Sequence, residues 1–183
     1  MSPVSPEQLF AFFDDLGLGH TTHRHRPVFT VEESRDLKAE MPGGHTKNLF
    51  LKDKKGRLFL LSAIADTQID LNAVSKLVGA ARFSFGNADL LMRHLGVTPG
   101  AVTVFGLIND AERQVTLLLD EALFAHDPVN FHPLRNDATT ALRPADMLKF
   151  VRATGHEPIR IAFDPAGAPR LIEPDAAAAH LQP

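Results

Sequence analysis

Apolar positions recur along this chain with two periods. Between residues 5 and 17, Leu9, Phe10, Phe12, Phe13 and Leu16 follow helical spacing. Ser5 stands as N-cap, Pro6 at the first helical position and Glu7 in the first turn, and Gly17 ends the run. A second helix is predicted over residues 31–40, where Thr30 and Glu33 form a capping-box pattern. Further helices are predicted over 72–78, over 87–95 and from Pro144 to about residue 154. Strand-like stretches are predicted over 20–26, 45–52, 57–62, 101–108 and 114–119, near 130–134, and over 158–163. Met41-Pro-Gly-Gly44, Asp53-Lys-Lys-Gly56, Gly96-Val-Thr-Pro-Gly100 and Asn109-Asp110 supply the loops and turns between them.

Helices and strands alternate irregularly, without a βαβα rhythm. The expected fold class is therefore α+β: a single domain with a mixed β-sheet and flanking helices. Beyond Asp164 the pattern decays into an Ala run and Pro165, Pro169, Pro174 and Pro183. The expected organisation is a folded domain over residues 1–164 followed by a loosely packed tail over 165–183.

The 183 residues are 44% hydrophobic and 22% charged, which supports one core and excludes disorder throughout. With no Cys, thiolate metal sites, disulfides and Cys nucleophiles are all excluded, as a reducing cytoplasm would suit. No apolar run is long enough for a membrane span and no secretory signal is expected, so the expected location is cytoplasmic. A net charge of −3 means that any contact with nucleic acid must be local.

The segment from Lys47 to Arg57 concentrates basic residues. On a strand, Lys47 shares a face with Leu49 and Leu51, while Asn48 faces the other way with Phe50 and Lys52. An amine on an apolar face either snorkels to water or finds an anionic or carbonyl partner. Lys52, Lys54, Lys55 and Arg57 cluster at a hairpin turn, where they either face solvent or contact phosphate. Gly100 precedes a β-branched stretch and is a candidate for presenting bare N–H groups to an oxyanion, although the loop lacks the pattern of a P-loop or dinucleotide fingerprint. His132, beside Pro133, is a candidate ligand-facing imidazole or a structural one. Among 9 histidines, His20, His23 and His25 are close, but no carboxylate completes a metal triad and no His-Glu-x-x-His occurs. No metal or cofactor is expected. No Ser sits in a Gly-x-Ser-x-Gly elbow, which disfavours a covalent hydrolase.

Four segments occur together in a recognisable order: His25-Arg-Pro-Val-Phe-Thr-Val-Glu-Glu33, Gly44-His-Thr-Lys-Asn-Leu-Phe-Leu51, Leu95-Gly-Val-Thr-Pro-Gly-Ala-Val-Thr-Val-Phe-Gly-Leu-Ile-Asn109 and Asn130-Phe-His-Pro-Leu-Arg-Asn-Asp-Ala-Thr-Thr140. From about residue 5 to 163 the chain resembles the YbaK/prolyl-tRNA-synthetase-associated editing domains, most of all their free-standing Ala-tRNA(Pro) deacylases. That resemblance implies a YbaK-like fold and a cytoplasmic trans-editing hydrolase, needing no cofactor, that removes alanine from mischarged tRNA(Pro). It implies Lys47 and His132 as catalytic groups and Asn48 as a substrate contact. The family's Gly-x-x-x-Pro loop falls on Gly100-Ala-Val-Thr-Val104, which assigns Gly100 to catalysis and Ala101 and Val102 to substrate binding. Val104 stands where many members carry Pro. Phe29 and Thr30 match residues lining the family's pocket. Lys47, the main-chain donors and His132 are expected to share one small cavity, and the Lys52–Arg57 hairpin to touch acceptor-stem phosphates. Mischarged tRNA is the implied partner, together with prolyl-tRNA synthetase. Two alternatives are a deacylase for tRNA mischarged with Ser or Cys and a non-catalytic module that binds tRNA or synthetase.

Overall fold

A computed structural model describes residues 2–28 and 31–173. Helix α1 (Pro6–Asp15) opens with a capping box: Ser5 Oγ accepts from Gln8 N, and the Gln8 side chain accepts from Ser5 N. It is followed by β1 (His20–Arg24), α2 (Val31–Glu40) and the hairpin β2 (Gly44–Asp53) and β3 (Leu58–Ile64). Next come α3 (Leu71–Leu77), β4 (Phe83–Phe85), α4 (Ala88–Leu95) and β5 (Val115–Asp120). The chain continues through β6 (Val129–Phe131), β7 (Ala138–Leu142), α5 (Pro144–Ala153), β8 (Ile159–Phe163) and β9 (Pro169–Leu171). Thr30, expected to cap α2, and its neighbour Phe29 lie outside the described residues.

The strands form one mixed sheet in the order β1-β7-β6-β2-β3-β5-β8-β9, with β4 also pairing β2. The inner pairs β6–β2, β3–β5 and β5–β8 are parallel, whereas β2–β3 is the antiparallel hairpin. One apolar cluster gathers Phe13 of α1, Leu91 of α4 and Phe150 of α5 with Phe50, Phe105 and Phe131. A second gathers Val74 of α3 with Leu51, Phe59, Leu61, Phe83, Leu118 and Ile161. Alternation along β2 explains the division, since Phe50 enters the first cluster and Leu51 the second.

Two segments differ from their sequence-based expectation. Residues 101–108 are not a strand: Pro99–Ala101 and Val104–Asn109 form short 3-10 turns. Val104, Phe105, Gly106 and Leu107 are all buried, so the segment is a core plug apolar on every side, and a continuous apolar run carries no period. The chain after Asp164 also does more than trail away. Strand β9 pairs antiparallel with β8, and Gly167 O accepts from Asp70 N at the start of α3. Residues 174–183 lie outside the described residues.

The site is built where β2 changes partners. β3 pairs one edge of β2 from Thr46 to Lys52. The other edge meets β6 only at Gly44 and His45, and β4 only from Leu51 to Asp53. Gly86 N also donates to Phe50 O, so residues 46–49 of β2 face a gap between β6 and β4. Gly43 and Gly44 set the entry to that gap. Gly43 has φ +98°, and a Cβ there would lie 2.2 Å from Pro128 O, so only glycine fits this approach.

Candidate active site

A cavity of about 80 Å³ lies beside the gap, lined by Val28, by Ser34, Leu37 and Lys38 of α2, by His45, Thr46 and Asn48 of β2, and by Asn130, Phe131, His132 and Thr139. Spacing on α2 brings Ser34, Leu37 and Lys38 onto one helical face, and that face meets the cavity. An apolar cavity of ~150 Å³ is large enough for a benzene ring. This one is about half that size and opens to solvent on one side.

His132 supplies the chemistry most directly. Its Nδ1 lies 3.0 Å from Ala138 O. A carbonyl can only accept, so Nδ1 carries the proton and the neutral ring keeps a lone pair on Nε2. No hydrogen bond occupies Nε2 among the described residues. Burial lowers the imidazole pKa below its usual 6.5; the bond to Ala138 opposes this and the nearby His25 reinforces it. The ring is thus neutral at pH 7. Leu134, two residues on, has φ 68°, a left-handed conformation uncommon for a side chain of this size.

Asn48 also lines the cavity and offers a donor. Its Oδ1 accepts from Ser62 Oγ, and its Nδ2 lies 3.4 Å from Thr46 Oγ1, a long contact. Thr46 Oγ1 donates to Asn130 O at 2.7 Å, tying β2 to β6 across the gap. His25 stands behind the cavity wall: its Nδ1 is 2.7 Å from Arg26 O and its Nε2 is 2.8 Å from Thr139 Oγ1. Whichever partner donates in that bond, Thr139 Oγ1 keeps a lone pair for the cavity.

The residues singled out from the sequence separate in space. Asn48 and His132 line the cavity together; Lys47, Gly100, Ala101 and Val102 do not. Lys47 stands on the other face of β2 with Leu49 and Leu51, and its ammonium donates to Thr67 O. The carbonyl-partner option for that amine is the one realised. Gly100 is exposed in the Pro99–Ala101 turn and lies against the loop that follows His132, where a Cβ would come 3.2 Å from Asn136 Nδ2. Ala101 is buried and Val102 packs against the first apolar cluster.

Among the hairpin cations, Arg57 is engaged twice: Nε donates to Asp53 Oδ2 at 2.9 Å, and Nη2 donates to Gly79 O at 2.9 Å. Lys52, Lys54 and Lys55 have no ion pair among the described residues. Lys52 and Arg57 line a broad groove with His94. Asp53 organises the turn. Burial pushes its pKa up, but bonds from Arg57 N, Ala81 N, Arg57 Nε and Lys55 N outweigh that and hold it at about 2.

Sequence reasoning passed over Asn130, Thr139 and Lys38. Asn130 carried a signal, since an Asn between Val129 and Phe131 in a buried strand demands partners. Lys38 and Thr139 had none, because helix docking and the course of β7 are tertiary facts.

The model of the aminoacyl-tRNA editing domain matches residues 25–150, which include every cavity-lining residue. The chain belongs to the aminoacyl-tRNA editing domain family. Prolyl-tRNA synthetase associated domain-containing protein 1 of Danio rerio is 39% identical over 160 residues, covering 86% of this chain and 87% of that protein. The prolyl-tRNA editing protein ProX of Acetoanaerobium sticklandii is 36% identical over 157 residues, covering 85% and 96%. A crystal structure described as that of a candidate trans-editing enzyme for prolyl tRNA synthetase shares the fold, with TM-score 0.64 at 18% identity over 94% of this chain and 100% of that one. Editing is hydrolysis of the ester that joins an amino acid to tRNA. As a member of this family, the chain is an aminoacyl-tRNA deacylase. No helix among the described residues is long and apolar enough to cross a membrane.

Proposed function

We propose that the protein edits in trans, hydrolysing Ala-tRNA(Pro) by direct attack of water on the ester. The observation that carries this reading is the small cavity lined by a neutral His132, whose Nε2 has no hydrogen-bond partner among the described residues, and by the Asn48 amide. A proline pocket cannot exclude the smaller alanine, so a second, size-limited site is needed to remove it. A cavity of about 80 Å³ suits that role.

In this reading the alanyl methyl enters the cavity and the ester carbonyl lies at its mouth. His132 Nε2 accepts a proton from water as the water oxygen bonds to the acyl carbon. Asn48 Nδ2–H stabilises the developing oxyanion from within the cavity, and the N–H groups of Gly100 and Val102 are kept as further donors from the neighbouring turn, where Ala101 N already donates to Thr98 O. The ester C–O bond then breaks, and the departing ribose oxygen takes the proton. The substrate's own 2′-hydroxyl assists in activating water. Lys47 is kept as the candidate source of positive charge; its ammonium stands on the face of β2 opposite Asn48 and would have to exchange the Thr67 carbonyl for an anionic partner. Phe29 and Thr30 are kept as pocket contacts, and Lys52, Lys54, Lys55 and Arg57 as contacts to acceptor-stem phosphates. Mischarged tRNA(Pro) and prolyl-tRNA synthetase are the proposed partners, and the cytoplasm is the proposed location.

The test is a panel of tRNA(Pro) charged with Ala, Ser, Cys or Pro. Rapid loss of Ala with Pro spared supports the reading. Preference for Ser or Cys would reassign the substrate, and binding without hydrolysis of any ester would overturn the catalytic role.

A further inference from the structure

We propose that Asn130 anchors the α-amino group of the substrate, its Oδ1 accepting a hydrogen bond from the ammonium of the aminoacyl ester. This rests on the deacylase reading above and adds a requirement to it: the amino acid must carry a free amine.

Asn130 is 3% exposed and lies in β6, with both strand neighbours buried. Its side-chain amide has only one orientation. Nδ2 donates to Pro42 O and to Gly44 O, each at 3.1 Å. A flipped amide would set an oxygen against two carbonyl oxygens, so Nδ2 is fixed there and Oδ1 must point the other way. Its main-chain carbonyl is also satisfied, by Thr46 Oγ1. Oδ1 alone has nothing. Among the described residues it is the single buried side-chain polar atom without a hydrogen-bond partner. A buried acceptor left unpaired costs free energy, and Asn130 lines the cavity, so the missing donor is one the ligand brings.

The surroundings indicate which donor. Among the described residues no carboxylate lines the cavity, and Lys38 is its one lysine or arginine. Among the described lining residues, the acceptors left for a ligand are neutral: Asn130 Oδ1, the hydroxyl oxygens of Ser34 and Thr139, and His132 Nε2, which the water requires. An alanyl ester has one group rich in N–H donors, its ammonium. Asn130 Oδ1 and a neighbouring hydroxyl fix its direction without a buried counter-charge, which requires it to sit on the side of the cavity away from the Lys38 ammonium. Acylating that nitrogen would remove two of its N–H donors and add bulk in a cavity of about 80 Å³. Peptidyl-tRNA and other N-acylated tRNAs are therefore excluded.

The wild-type protein provides the first test, with tRNA(Pro) carrying an alanyl, a lactyl or a propionyl ester. Lactyl replaces the amine by a hydroxyl donor, and propionyl has no donor. Each rate is divided by that ester's spontaneous hydrolysis. The acceleration in kcat/KM is expected to fall about 10- to 100-fold from alanyl to propionyl, the range for a hydrogen bond to a charged group, with lactyl between them. Equal acceleration of alanyl and propionyl esters would overturn the anchor while leaving deacylation intact. If no ester is hydrolysed, the deacylase reading itself fails. The amine is then judged by titrating non-hydrolysable 3′-alanylamino- and 3′-propionylamino-adenosine against the Asn130 side-chain amide signal in NMR: selective perturbation by the alanyl analogue supports the anchor, and identical responses refute it. In Asn130→Ala, the alanyl-to-propionyl ratio is expected to collapse towards one. A retained ratio in the folded variant, with folding checked by thermal melting, would also refute it.

Discussion

Replacing His132 by Asn isolates the imidazole's two jobs. Nδ1 holds the loop by donating to Ala138 O at 3.0 Å, whereas Nε2 faces no protein partner among the described residues. An Asn amide can keep the first bond and has no lone-pair nitrogen for the second. A neutral hydrogen bond contributes about 1 kcal/mol, and a domain of this size shifts its Tm by about 2–4 °C per kcal/mol. His132→Asn should therefore melt within a few degrees of wild type, while His132→Ala loses the bond and melts lower. If Nε2 takes the proton from water, both should lose about 10²- to 10⁴-fold in kcat. The pH profile supplies the decisive readout. The folded pKa lies below 6.5, so the active neutral ring persists as pH falls through 6.5, and kcat/KM declines only as pH passes the lowered value. The same sign holds for stability, where the preference for the neutral ring is present above pH 6.5 and lost below it. Single-turnover deacylation from pH 5 to 8 should show one acid limb centred below 6.5 in wild type and none in His132→Asn. A near-normal rate in the Asn variant, with the limb intact, would refute proton transfer at Nε2.

Other perturbations reach other parts of the molecule. Gly43→Ala must move Pro128 O or abandon φ +98°, and is expected to cost about 2 kcal/mol or more, read as a Tm lowered by at least ~4 °C. Asp53→Asn should lower Tm at pH 7. Because the carboxyl pKa is held at about 2, below its usual 3.8, the stability it confers is present above pH 3.8 and fades as pH falls through 2, so the two melting curves should converge only in strong acid. Lys54→Ala and Lys55→Ala should each reduce the salt slope of log Kd for tRNA by ~0.7 to 0.9 if each contacts one phosphate, whereas Arg57→Ala should also lower Tm because its guanidinium braces the turn. Lys47→Ala should reduce deacylation by ~10²-fold if the amine stabilises transition-state charge, and an unchanged rate would restrict it to holding the Thr67 carbonyl.

The helices with clear caps were legible because capping and amphipathic spacing are local. Ser5 with Gln8 and Asn87 with Leu90 N behave as their sequence context requires. The β2–β3 hairpin was equally legible, since Asp53-Lys-Lys-Gly56 marks its turn. Strands β4, β7 and β9 are 3 to 5 residues long and owe their pairing to partners remote in sequence, so local pattern was weak. Strand alternation correctly separated Lys47 from Asn48. What alternation could not supply was which face of β2 meets the cavity, because that depends on the parallel docking of β6 and on α2 lying over the gap. The resemblance grouped Lys47, Asn48, Gly100 and His132 by their order in the chain, whereas the described geometry keeps Asn48 with His132 and adds Asn130 and Thr139.

The most direct measurement is single-turnover hydrolysis of Ala-tRNA(Pro) and Pro-tRNA(Pro) by the purified protein, each against its spontaneous rate. Strong acceleration is expected for the alanyl ester and little for the prolyl ester, whose side chain brings two more carbons to the cavity of about 80 Å³ beside His132. Equal acceleration of both would contradict a size-limited cavity, and acceleration of neither would contradict an editing site at His132.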